Sequence, residues 1–484
     1  MSEFFQANAE VLQRRWPALF ERLMAEDSSA IEAELTQGLG STLSVNGIQL
    51  TSRHDRTHEA RIQTASLPDK AQLHVYGTGL GDLPGVLLER TNLDRLYVHI
   101  LNGALFALVL QLLDQRQWLE DPRVELFYAG DLSDICTPFF ALPAEMLLAD
   151  DFNAKIRDRL VNEVHLTFNN REFDVQSPII QQRLQDCLPV LLGDEDVAQL
   201  FGTCAGREVF VIGTGPTLES HFERLAAIRQ QADRPLFIAV DTAYRPLREH
   251  GIVPDMVVSI DQRIGFRHLP FEASDGITLV YLPMSDPDVL TAWKGKRYGG
   301  YSASPVYAGL REQHPRALLH VGGSVIHPAV DLAVKMGAAR ITLFGADFAF
   351  PNNKTHAGWN DGDLGPGVSQ SRHWVLDGNG QRVATQLNFR GYLCVLERYI
   401  AAHPHVQFYN SSRAGAFIAG TQFDPEFVQW PLSINAWTSA ASAPDCFAWA
   451  VMSRPRWSWL TCSKARSRRS CRHRPMSSKP GRPC

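Results

Sequence analysis

Residues 209–222 read VFVIGTGPTLESHF, in which a short apolar run is followed by two glycines, a proline and a helix-forming segment. The run at 209–212 is typical of a central strand in a parallel sheet, because such a strand needs apolar side chains on both faces. Gly213 and Gly215 can take backbone angles that other residues avoid, and Pro216 favours a first helical turn. The stretch therefore predicts a helix N-terminus at the carboxyl edge of a sheet, where free N–H groups favour an anion, usually a phosphate.

The glycine turn matches known phosphate-binding loops only in part. A dinucleotide-binding fingerprint needs a third glycine where this chain has Leu218, and a Walker loop needs a Gly-Lys-Ser/Thr sequence that is missing nearby. A tight turn in an α/β core is therefore an equal alternative for this motif taken alone. The rest of the chain has to decide between the two.

The sequence after residue 207 alternates apolar, strand-like runs with helical stretches such as LESHFERLAAIRQQ. Alternation of this kind predicts right-handed crossovers and a parallel sheet that is covered on both faces. The further strand-like runs are 235–241, 254–261, 276–283, 317–324 and 339–347. The predicted fold class is therefore α/β, with a central Rossmann-like domain that binds ligands at the carboxyl ends of its strands, near the topological switch point.

Acidic residues and glycines are concentrated at this predicted carboxyl edge. Asp241, Asp261 and Asp347 each end a predicted strand, and the Gly-Gly-Ser turn at 322–324 ends a fourth. Any one strand-end acid is as often structural as functional. Three of them beside two glycine turns favour a nucleotide-type ligand.

The chain divides into four predicted regions. Residues 1–140 indicate an N-terminal helix and a smaller α/β domain, 141–200 a helical connector, 201–425 the Rossmann-like domain, and 426–484 a largely disordered basic tail. From Trp437 onward the tail contains ten Lys or Arg residues, one acidic residue and half of the eight cysteines. This composition is typical of a shifted reading frame or an unrelated terminus.

The N-terminal region contains a second glycine turn, QLHVYGTGLGDLPGVLLER at 72–90. Gly77, Gly79 and Gly81 follow the pattern of a cofactor-binding turn such as that of methyltransferases. A cofactor site of this kind also needs an acid at the end of the next strand, and RLYVHILN at 95–102 has none. We therefore interpret the turn as part of a relic α/β fold, with cofactor binding as the alternative.

Length and composition describe a globular protein. The chain has 484 residues, of which 45% are hydrophobic and 20% charged, enough for two or three domains with sizeable cores. It has no apolar stretch of membrane-spanning length, and the amphipathic start MSEFFQANAEVLQRRW does not indicate a signal peptide. The four cysteines before the tail have no paired metal spacing, as expected of reduced thiols in a cytoplasmic protein. Without its basic tail the chain is more acidic than the formal net charge of −5 suggests, which argues against a nucleic-acid partner.

Six motifs occur in one order and are together far more specific than any of them alone. They are GTGPTL, FIAVDTAYRPL, GIVPDMVVSID, GGSVIHPAVDLA, LFGADFAF followed by KTHA, and YNSSRAGAFIAG. With these motifs the chain resembles, from about residue 70 to 425, the Maf (motility accessory factor) proteins, a family of flagellin glycosyltransferases. The family's central domain is similar to bacterial sialyltransferases that use a CMP-activated nonulosonic acid. It is also related to an archaeal-type pterin pyrophosphokinase, so the fold alone does not fix the reaction.

The resemblance implies a CMP-activated nonulosonic acid of the pseudaminic or legionaminic type as donor, and Ser or Thr of flagellin as acceptor, for flagellum assembly and motility. In the sialyltransferases the Gly-x-Gly-Pro turn cradles phosphate and ribose, the polar residue after the next strand contacts the nucleotide, and the Gly-Gly-Ser turn lies beside the cytosine. The positions this implies for nucleotide binding are Gly213, Thr214, Gly215, Pro216, Thr217, Asp241, Gly322, Gly323 and Ser324. Thr385 stands where those enzymes have their general-base histidine, so the base has to be another residue.

Transfer of a sugar to a hydroxyl group needs a base that removes the hydroxyl proton. His356, in the polar KTHA loop after Asp347, is the first candidate, because an ordinary histidine pKa near 6.5 suits this task. His327, on the helix after the Gly-Gly-Ser turn, is the second, with helix capping or core packing as its alternative role. Asp347 is the third candidate proton acceptor.

Asp261 is assigned to the nucleotide site by its position. Asp261 and Asp347 can equally hold a divalent cation, bind ribose hydroxyls or cap helices. Departure of CMP does not require a metal, whereas pyrophosphate transfer from ATP normally needs Mg²⁺. Two other interpretations stay open, a pterin pyrophosphokinase-like transferase and a non-enzymatic chaperone that binds flagellin.

Overall fold

The computed structural model describes residues 2–169, 175–365, 367–371 and 373–423. The basic tail predicted at 426–484 lies outside these residues. None of the helices in the described part is long and apolar enough to cross a membrane.

Some of the described helices begin at a side chain that caps them, and others have no such hydrogen bond. In the first of them, for example, the Ser2 hydroxyl accepts the N–H of Phe5 and two arginines occupy the last turn. The helices are α1 (Glu3–Arg15), α2 (Pro17–Met24), α3 (Arg56–Thr64), α4 (Asp82–Leu88), α5 (Gly103–Leu112), α6 (Arg116–Leu119), α7 (Pro143–Leu148), α8 (Ala154–Asn169), α9 (Pro178–Gly193), α10 (Phe222–Arg229), α11 (Asp241–Glu249), α12 (Pro287–Ala292), α13 (Ala308–Gln313), α14 (Ile326–Lys335) and α15 (Leu387–Ala401).

The strands are short, and those of the two parallel sheets are rich in apolar residues. They are β1 (Ala33–Gln37), β2 (Ser41–Val45), β3 (Ile48–Gln49), β4 (Gln72–Tyr76), β5 (Arg95–Ile100), β6 (Val124–Tyr128), β7 (Phe139–Ala141), β8 (Glu195–Asp196), β9 (Glu208–Ile212), β10 (Leu236–Val240), β11 (Met256–Ser259), β12 (Thr278–Tyr281), β13 (Arg297–Gly299), β14 (Arg340–Phe344), β15 (His373–Leu376), β16 (Arg382–Thr385), β17 (Gln407–Asn410) and β18 (Gln422–Phe423).

The N-terminal part contains a small antiparallel sheet and a parallel sheet. The antiparallel sheet has the order β1-β2-β3, and the parallel sheet has the order β6-β5-β4-β7. Helices α1 and α5 pack on each other through buried Val11, Leu12 and Phe106, in the same apolar core as strand residues of this parallel sheet.

The glycine turn of this N-terminal sheet is occupied by a side chain of the protein itself. Gly77, Gly79 and Gly81 all have positive φ angles, of 100°, 55° and 91°. The fully buried carboxyl of Glu145 accepts the N–H of Gly79, and a Cβ on Gly77 would lie 3.1 Å from a Glu145 oxygen. Burial raises the pKa of Glu145 to about 7. A carboxyl group in the turn favours the interpretation of this region as a relic fold.

The central domain is built on a sheet of nine described strands that all run parallel. Its order is β18-β17-β14-β9-β10-β11-β12-β13-β8. Strand β9, which contains the apolar run at 209–212, lies between β10 and β14 and is buried on both faces from Val209 to Ile212. This arrangement confirms the predicted Rossmann-like α/β fold.

The topological switch point lies between β9 and β14. From β9 the chain adds β10 to β13 successively on one side, and β14, β17 and β18 then add on the other side. Because parallel strands diverge into opposite crossovers at such a point, a crevice opens beyond their carboxyl ends. The glycine turn after β9 and the segment after β14 meet in this crevice.

One predicted strand is wrong. The run at 317–324 forms only an isolated bridge, between Tyr301 and Leu318. The place beside β13 is taken by β8, and the N–H of His320 donates to the Asp331 carboxylate over 2.7 Å instead of to a neighbouring strand. An apolar run does not form a strand where the sheet offers it no edge to pair with.

Candidate functional site

A cleft of about 540 Å³, including its open mouth, lies at the switch point. Its wall is formed by the ends of β9, β10 and β14, the turn before α14, the KTHA loop and one face of α15. The lining residues are Gly213, Thr214, Gly215, Val240, Thr242, Ser324, Val325, Ile326, Gly345, Ala346, Asp347, Phe348, Ala349, Thr355, His356, Phe389 and Tyr392.

The glycine turn is shaped by close approach to the next strand rather than by unusual backbone angles. The N–H groups of Gly213 and Gly215 donate to Phe344 O and Gly345 O, over 2.8 and 2.7 Å. Gly215 has an ordinary φ of −61°, and Gly213 also has no positive φ. A Cβ on either residue would lie 2.6 Å from Gly345 O, which is too short for a real contact. The expectation that these glycines adopt angles closed to other residues is therefore wrong.

The carboxylate of Asp347 occupies the helix N-terminus at which we expected a phosphate. Thr217 donates to it twice, from its N–H over 2.8 Å and from its hydroxyl over 2.5 Å. Pro216, which has no N–H, and Thr217 begin a short 3-10 helix that leads into α10. Burial raises the pKa of Asp347 to about 6, against the effect of the two hydrogen bonds.

The predicted open phosphate cradle therefore needs correction. The N–H groups of Gly213, Gly215 and Thr217 are all used inside the protein. In the described part of the chain, only the N–H of Thr214 in this turn has no partner of its own. A phosphate in the cleft would have one backbone donor here instead of several, beside the Thr214 and Thr242 hydroxyls, which lie 2.5 Å apart.

Asp241 lies behind the cleft wall and not in it. It is the first residue of α11, is 1% exposed, and accepts the N–H of Thr242 through one oxygen over 2.7 Å. Its other oxygen has no hydrogen-bond partner among the described residues. Burial, together with the nearby charge of Asp261, raises the pKa of Asp241 to about 7. The residue that reaches the cleft from this strand end is Thr242.

Asp261 lies outside the cleft. Its carboxylate forms an ion pair with Arg263 at 3.0 Å and is partly exposed. Together with Asp241 it forms an acidic pair at the ends of β10 and β11. Groups of three or more His, Cys, Asp or Glu that would hold a metal are absent from the described residues.

The Gly-Gly-Ser turn reaches the cleft only through Ser324. Gly322 packs against Val395, and Gly323, with φ of +94°, packs against the ring of Tyr392. The two glycines thus allow the turn to approach α15 closely. They contact the protein's own helix rather than the part of the cleft in which the cytosine ring of a nucleotide would lie.

His327 is a positioning residue and not a proton acceptor for a substrate. It is 1% exposed, its Nδ1 lies 2.9 Å from Ser324 O and 3.2 Å from Ser324 N, and its Nε2 lies 2.9 Å from Tyr392 O. Burial lowers its pKa to about 4, so the ring is neutral at pH 7. Both nitrogens are used to join the Gly-Gly-Ser turn to α15, which fits the packing role that was its alternative.

His356 lines the cleft, as predicted for the first candidate base. Its ring meets Phe389 edge to face at 6.4 Å, and its buried Nδ1 has no hydrogen-bond partner in the described structure. Burial lowers its pKa to about 4, which corrects the expectation of an ordinary value near 6.5. The ring is therefore neutral at physiological pH and able to accept a hydrogen bond, but it is a weak base.

The KTHA loop is fixed at both ends. Glu219 accepts the N–H of Gly358 over 2.9 Å and pairs with Lys354 at 2.5 Å. The Trp359 indole donates to Thr242 O over 3.0 Å and lies under the guanidinium of Arg245. These contacts hold His356 over the strand ends.

Several cleft residues were not predicted from the sequence. Phe348, directly after Asp347, has a φ of +46°, which is rare for a bulky residue and often marks a functional site. The hydroxyl of Thr385 fixes it by donating to Phe348 O over 2.6 Å. Phe389 and Tyr392 supply two rings from one face of α15. Their spacing of three residues on a helix was the signal available in the sequence.

A family model and a curated relative match parts of this chain. Residues 184–353 match the model of the family described as 6-hydroxymethylpterin diphosphokinase MptE-like, a segment that contains the strand ends around the cleft. A 6-hydroxymethyl-7,8-dihydropterin pyrophosphokinase from Methanocaldococcus jannaschii is 29% identical over 90 residues, which are 19% of this chain. The match spans 36% of that relative, about a third of its length.

Solved structures show more distant likenesses. The Maf glycosyltransferase of Magnetospirillum magneticum aligns over 89% of this chain and 76% of its own, with 16% identity and a TM-score of 0.40. A spermidine synthase of Thermotoga maritima aligns over 27% of this chain and 49% of its own, with 14% identity and a TM-score of 0.21. Neither likeness assigns an activity.

Proposed function

We propose that the protein is a glycosyltransferase that moves a nonulosonic acid, of the pseudaminic or legionaminic type, from a CMP-activated donor to Ser or Thr of flagellin. The six ordered motifs and their resemblance to Maf proteins suggest this activity. The observation that carries it is the character of the cleft, whose described lining residues include hydroxyl and aromatic groups and no Lys or Arg. A CMP-activated nonulosonic acid has one phosphodiester charge and one carboxylate charge, whereas a nucleoside triphosphate has several phosphate charges and needs several cationic partners.

In this proposal the nucleotide lies over the strand ends. Ser324, Thr214 and Thr242 offer hydroxyl groups to ribose, base and phosphate, and the rings of Phe389 and Tyr392 cover the apolar surface of the ligand. Asp347 holds the glycine turn in place through Thr217. Asp347 is therefore a positioning residue. Its buried carboxyl group also forms part of the cleft wall.

The proposed reaction is a displacement at the anomeric carbon of the sugar. The acceptor hydroxyl oxygen forms a bond to this carbon as the bond from the carbon to the phosphate oxygen of CMP breaks. The bonding electrons leave with CMP, and the hydroxyl proton passes to Nδ1 of neutral His356 or to the departing phosphate. Because His356 is a weak base, its contribution depends on a late transition state in which the hydroxyl is already acidic.

A second candidate function is pyrophosphate transfer from ATP to a pterin. The family match over 184–353 favours it, as does the unpartnered oxygen of Asp241 beside Asp261. Two carboxylates with substrate phosphates are a usual way to bind Mg²⁺, which would neutralise the phosphates of ATP. Asp241 and Asp261 are the residues that would hold this ion.

Thermal unfolding with nucleotides separates the two candidates. We expect CMP to raise the melting temperature, and ATP with Mg²⁺, AMP or NAD to raise it far less. Thr214→Val should remove most of the CMP effect, because it deletes a cleft hydroxyl that bonds to Thr242. Thr291→Val is the matched control, since the Thr291 hydroxyl bonds to its own helix at Pro287 O. A larger shift with ATP and Mg²⁺ than with CMP would favour the pyrophosphokinase.

The third interpretation, a chaperone that binds flagellin without chemistry, makes a different prediction. If the protein is such a chaperone, it should bind flagellin whether or not a nucleotide is present, and the mass of flagellin should not change. Asp347→Asn, which removes the carboxylate charge but keeps the size of the side chain, would then leave flagellin binding unchanged.

A further inference from the structure

A second cavity of about 480 Å³, including its mouth, lies at the same edge of the central sheet. It is formed at the carboxyl ends of β17 and β18 by the YNSSRAG motif, which has no role in the proposed function so far. We call residues 410–418 the 410–418 loop. The cavity wall includes Asn410, Ser412 and Arg413 from this loop.

Arg413 gives this cavity a positive charge. It is the one charged residue among the described residues that line the cavity. Its guanidinium carbon lies 4.4 Å from the ring centre of Phe423, so the side chain is held by stacking rather than by an ion pair. Its backbone is fixed by Gly378, whose N–H donates to Arg413 O over 2.8 Å.

The polar groups around Arg413 have hydrogens left to donate. The carbonyl oxygen of Asn410 already accepts the N–H of Ser412 at 3.4 Å, which leaves the amide NH₂. The hydroxyl of Ser412 accepts the N–H of Ala414 at 3.1 Å, which leaves its own hydrogen. A guanidinium, an amide NH₂ and a hydroxyl that all donate suit a carboxylate or phosphate oxygen.

The second cavity is joined to the cleft by the 410–418 loop. The N–H of Ala416 donates to Asp347 O over 2.7 Å, and a Cβ on Gly415 would lie 2.6 Å from an oxygen of the Asp347 carboxylate. Among the described lining residues, the cleft has an acid and no Lys or Arg, whereas the second cavity has an arginine and no acid. An anionic group on a ligand that extends from the cleft into this cavity would meet the Arg413 guanidinium there.

We propose that the second cavity is a subsite for the carboxylate of the acidic sugar, with Arg413 as the residue that recognises it. This inference rests on the proposed function, and it assigns specificity for acidic over neutral sugars to a single side chain. Arg413 is exposed and is not among the described residues that line the cleft. Its replacement should therefore leave the cleft and the fold intact.

The test uses the full chain with N-acetylneuraminic acid and its methyl ester as probes, titrated by ligand-observed NMR. In the wild type we expect the acid to bind at least about fivefold more tightly than the ester, which is modest because an exposed guanidinium is screened by solvent. Arg413→Gln should bring the ratio to about one, and Arg413→Lys should restore part of it, because lysine keeps the charge without the planar fork. Melting temperatures show whether each variant is folded.

Arg340→Gln is the matched control. Arg340 also stacks on an aromatic ring of this strand pair, with its guanidinium carbon 4.9 Å from the ring centre of Tyr409, but it lines neither cavity. An acid-to-ester ratio that stays above fivefold in Arg413→Gln, or that falls equally in Arg340→Gln, would overturn the inference. If instead the donor is not a CMP-sugar, CMP will not raise the melting temperature of the wild type. This result distinguishes a wrong donor from a wrong role for Arg413.

Discussion

Replacing Gly215 with alanine tests whether close packing at the switch point holds the cleft together. The new Cβ would overlap an Asp347 carboxylate oxygen and lie 2.6 Å from Gly345 O. The backbone angles at this position, φ −61° and ψ 154°, are open to alanine, so the entire effect is steric. Relief of the overlap has to separate the glycine turn from β14 or displace the Asp347 carboxylate.

The expected loss of stability follows from those two contacts. Overpacking in a rigid site costs about 1–3 kcal/mol, and weakening the charge-assisted bonds from Thr217 to Asp347 costs about 1.5–3 kcal/mol. Because one movement relieves part of each, we expect Gly215→Ala to lower the free energy of unfolding by about 2–4 kcal/mol. Urea unfolding followed by tryptophan fluorescence measures this quantity.

Gly309→Ala is the control for the glycine substitution itself. A Cβ at Gly309 meets nothing within 4 Å, and the residue lies in exposed helix α13. Alanine there should be neutral or stabilise the protein by up to about 1 kcal/mol. If Gly215→Ala proves as stable as Gly309→Ala, the contact between the glycine turn and Asp347 does not constrain the site, and our reasoning about the switch point is wrong.

Three further substitutions test individual side chains. Asp347→Asn should change the pH dependence of stability. Burial raises the Asp347 pKa from 3.8 to about 6. The stabilisation of the fold by the protonated carboxyl group is therefore complete below pH 4 and is lost as the pH rises through 6. Urea titrations should therefore show the variant gaining about 2–3 kcal/mol on the wild type between pH 4 and pH 7. His356→Ala should lower the rate of sugar transfer at least about 100-fold with CMP binding preserved, and an unchanged rate would remove the histidine from the mechanism. His327→Ala should instead lower the melting temperature and leave the rate per folded molecule nearly unchanged, since both ring nitrogens bond to backbone groups. If the rate falls and the stability does not, His327 is the base.

The parallel sheet could be predicted because its signal is local. Short apolar runs such as β9 and β10, separated by helical stretches, show in the sequence that each strand is covered on both faces. The error at 317–324 has a non-local cause. Whether such a run forms a strand depends on which other segment pairs with the edge of the sheet. Here β8, more than 100 residues earlier in the chain, pairs with β13 at that edge.

The candidate site was predictable in its location but not in its contacts. Strand-end residues converge at the carboxyl edge in any parallel sheet, so Gly213, Asp347 and His356 were correctly expected near one another. The sequence does not show that the Asp347 carboxylate fills the helix N-terminus, or that Gly215 is small because this carboxylate lies against it. Both facts depend on the distance between residues more than 100 positions apart.

The most direct test of the proposed function is the intact mass of the acceptor. Purified protein is incubated with flagellin and a CMP-activated nonulosonic acid, and the mass of flagellin is measured before and after. Our account predicts a mass increase of one nonulosonic acid residue per modified Ser or Thr, together with release of CMP. Unchanged flagellin in this reaction, with AMP formed from ATP and a hydroxymethylpterin in a parallel one, would contradict it and identify the protein as a pyrophosphokinase.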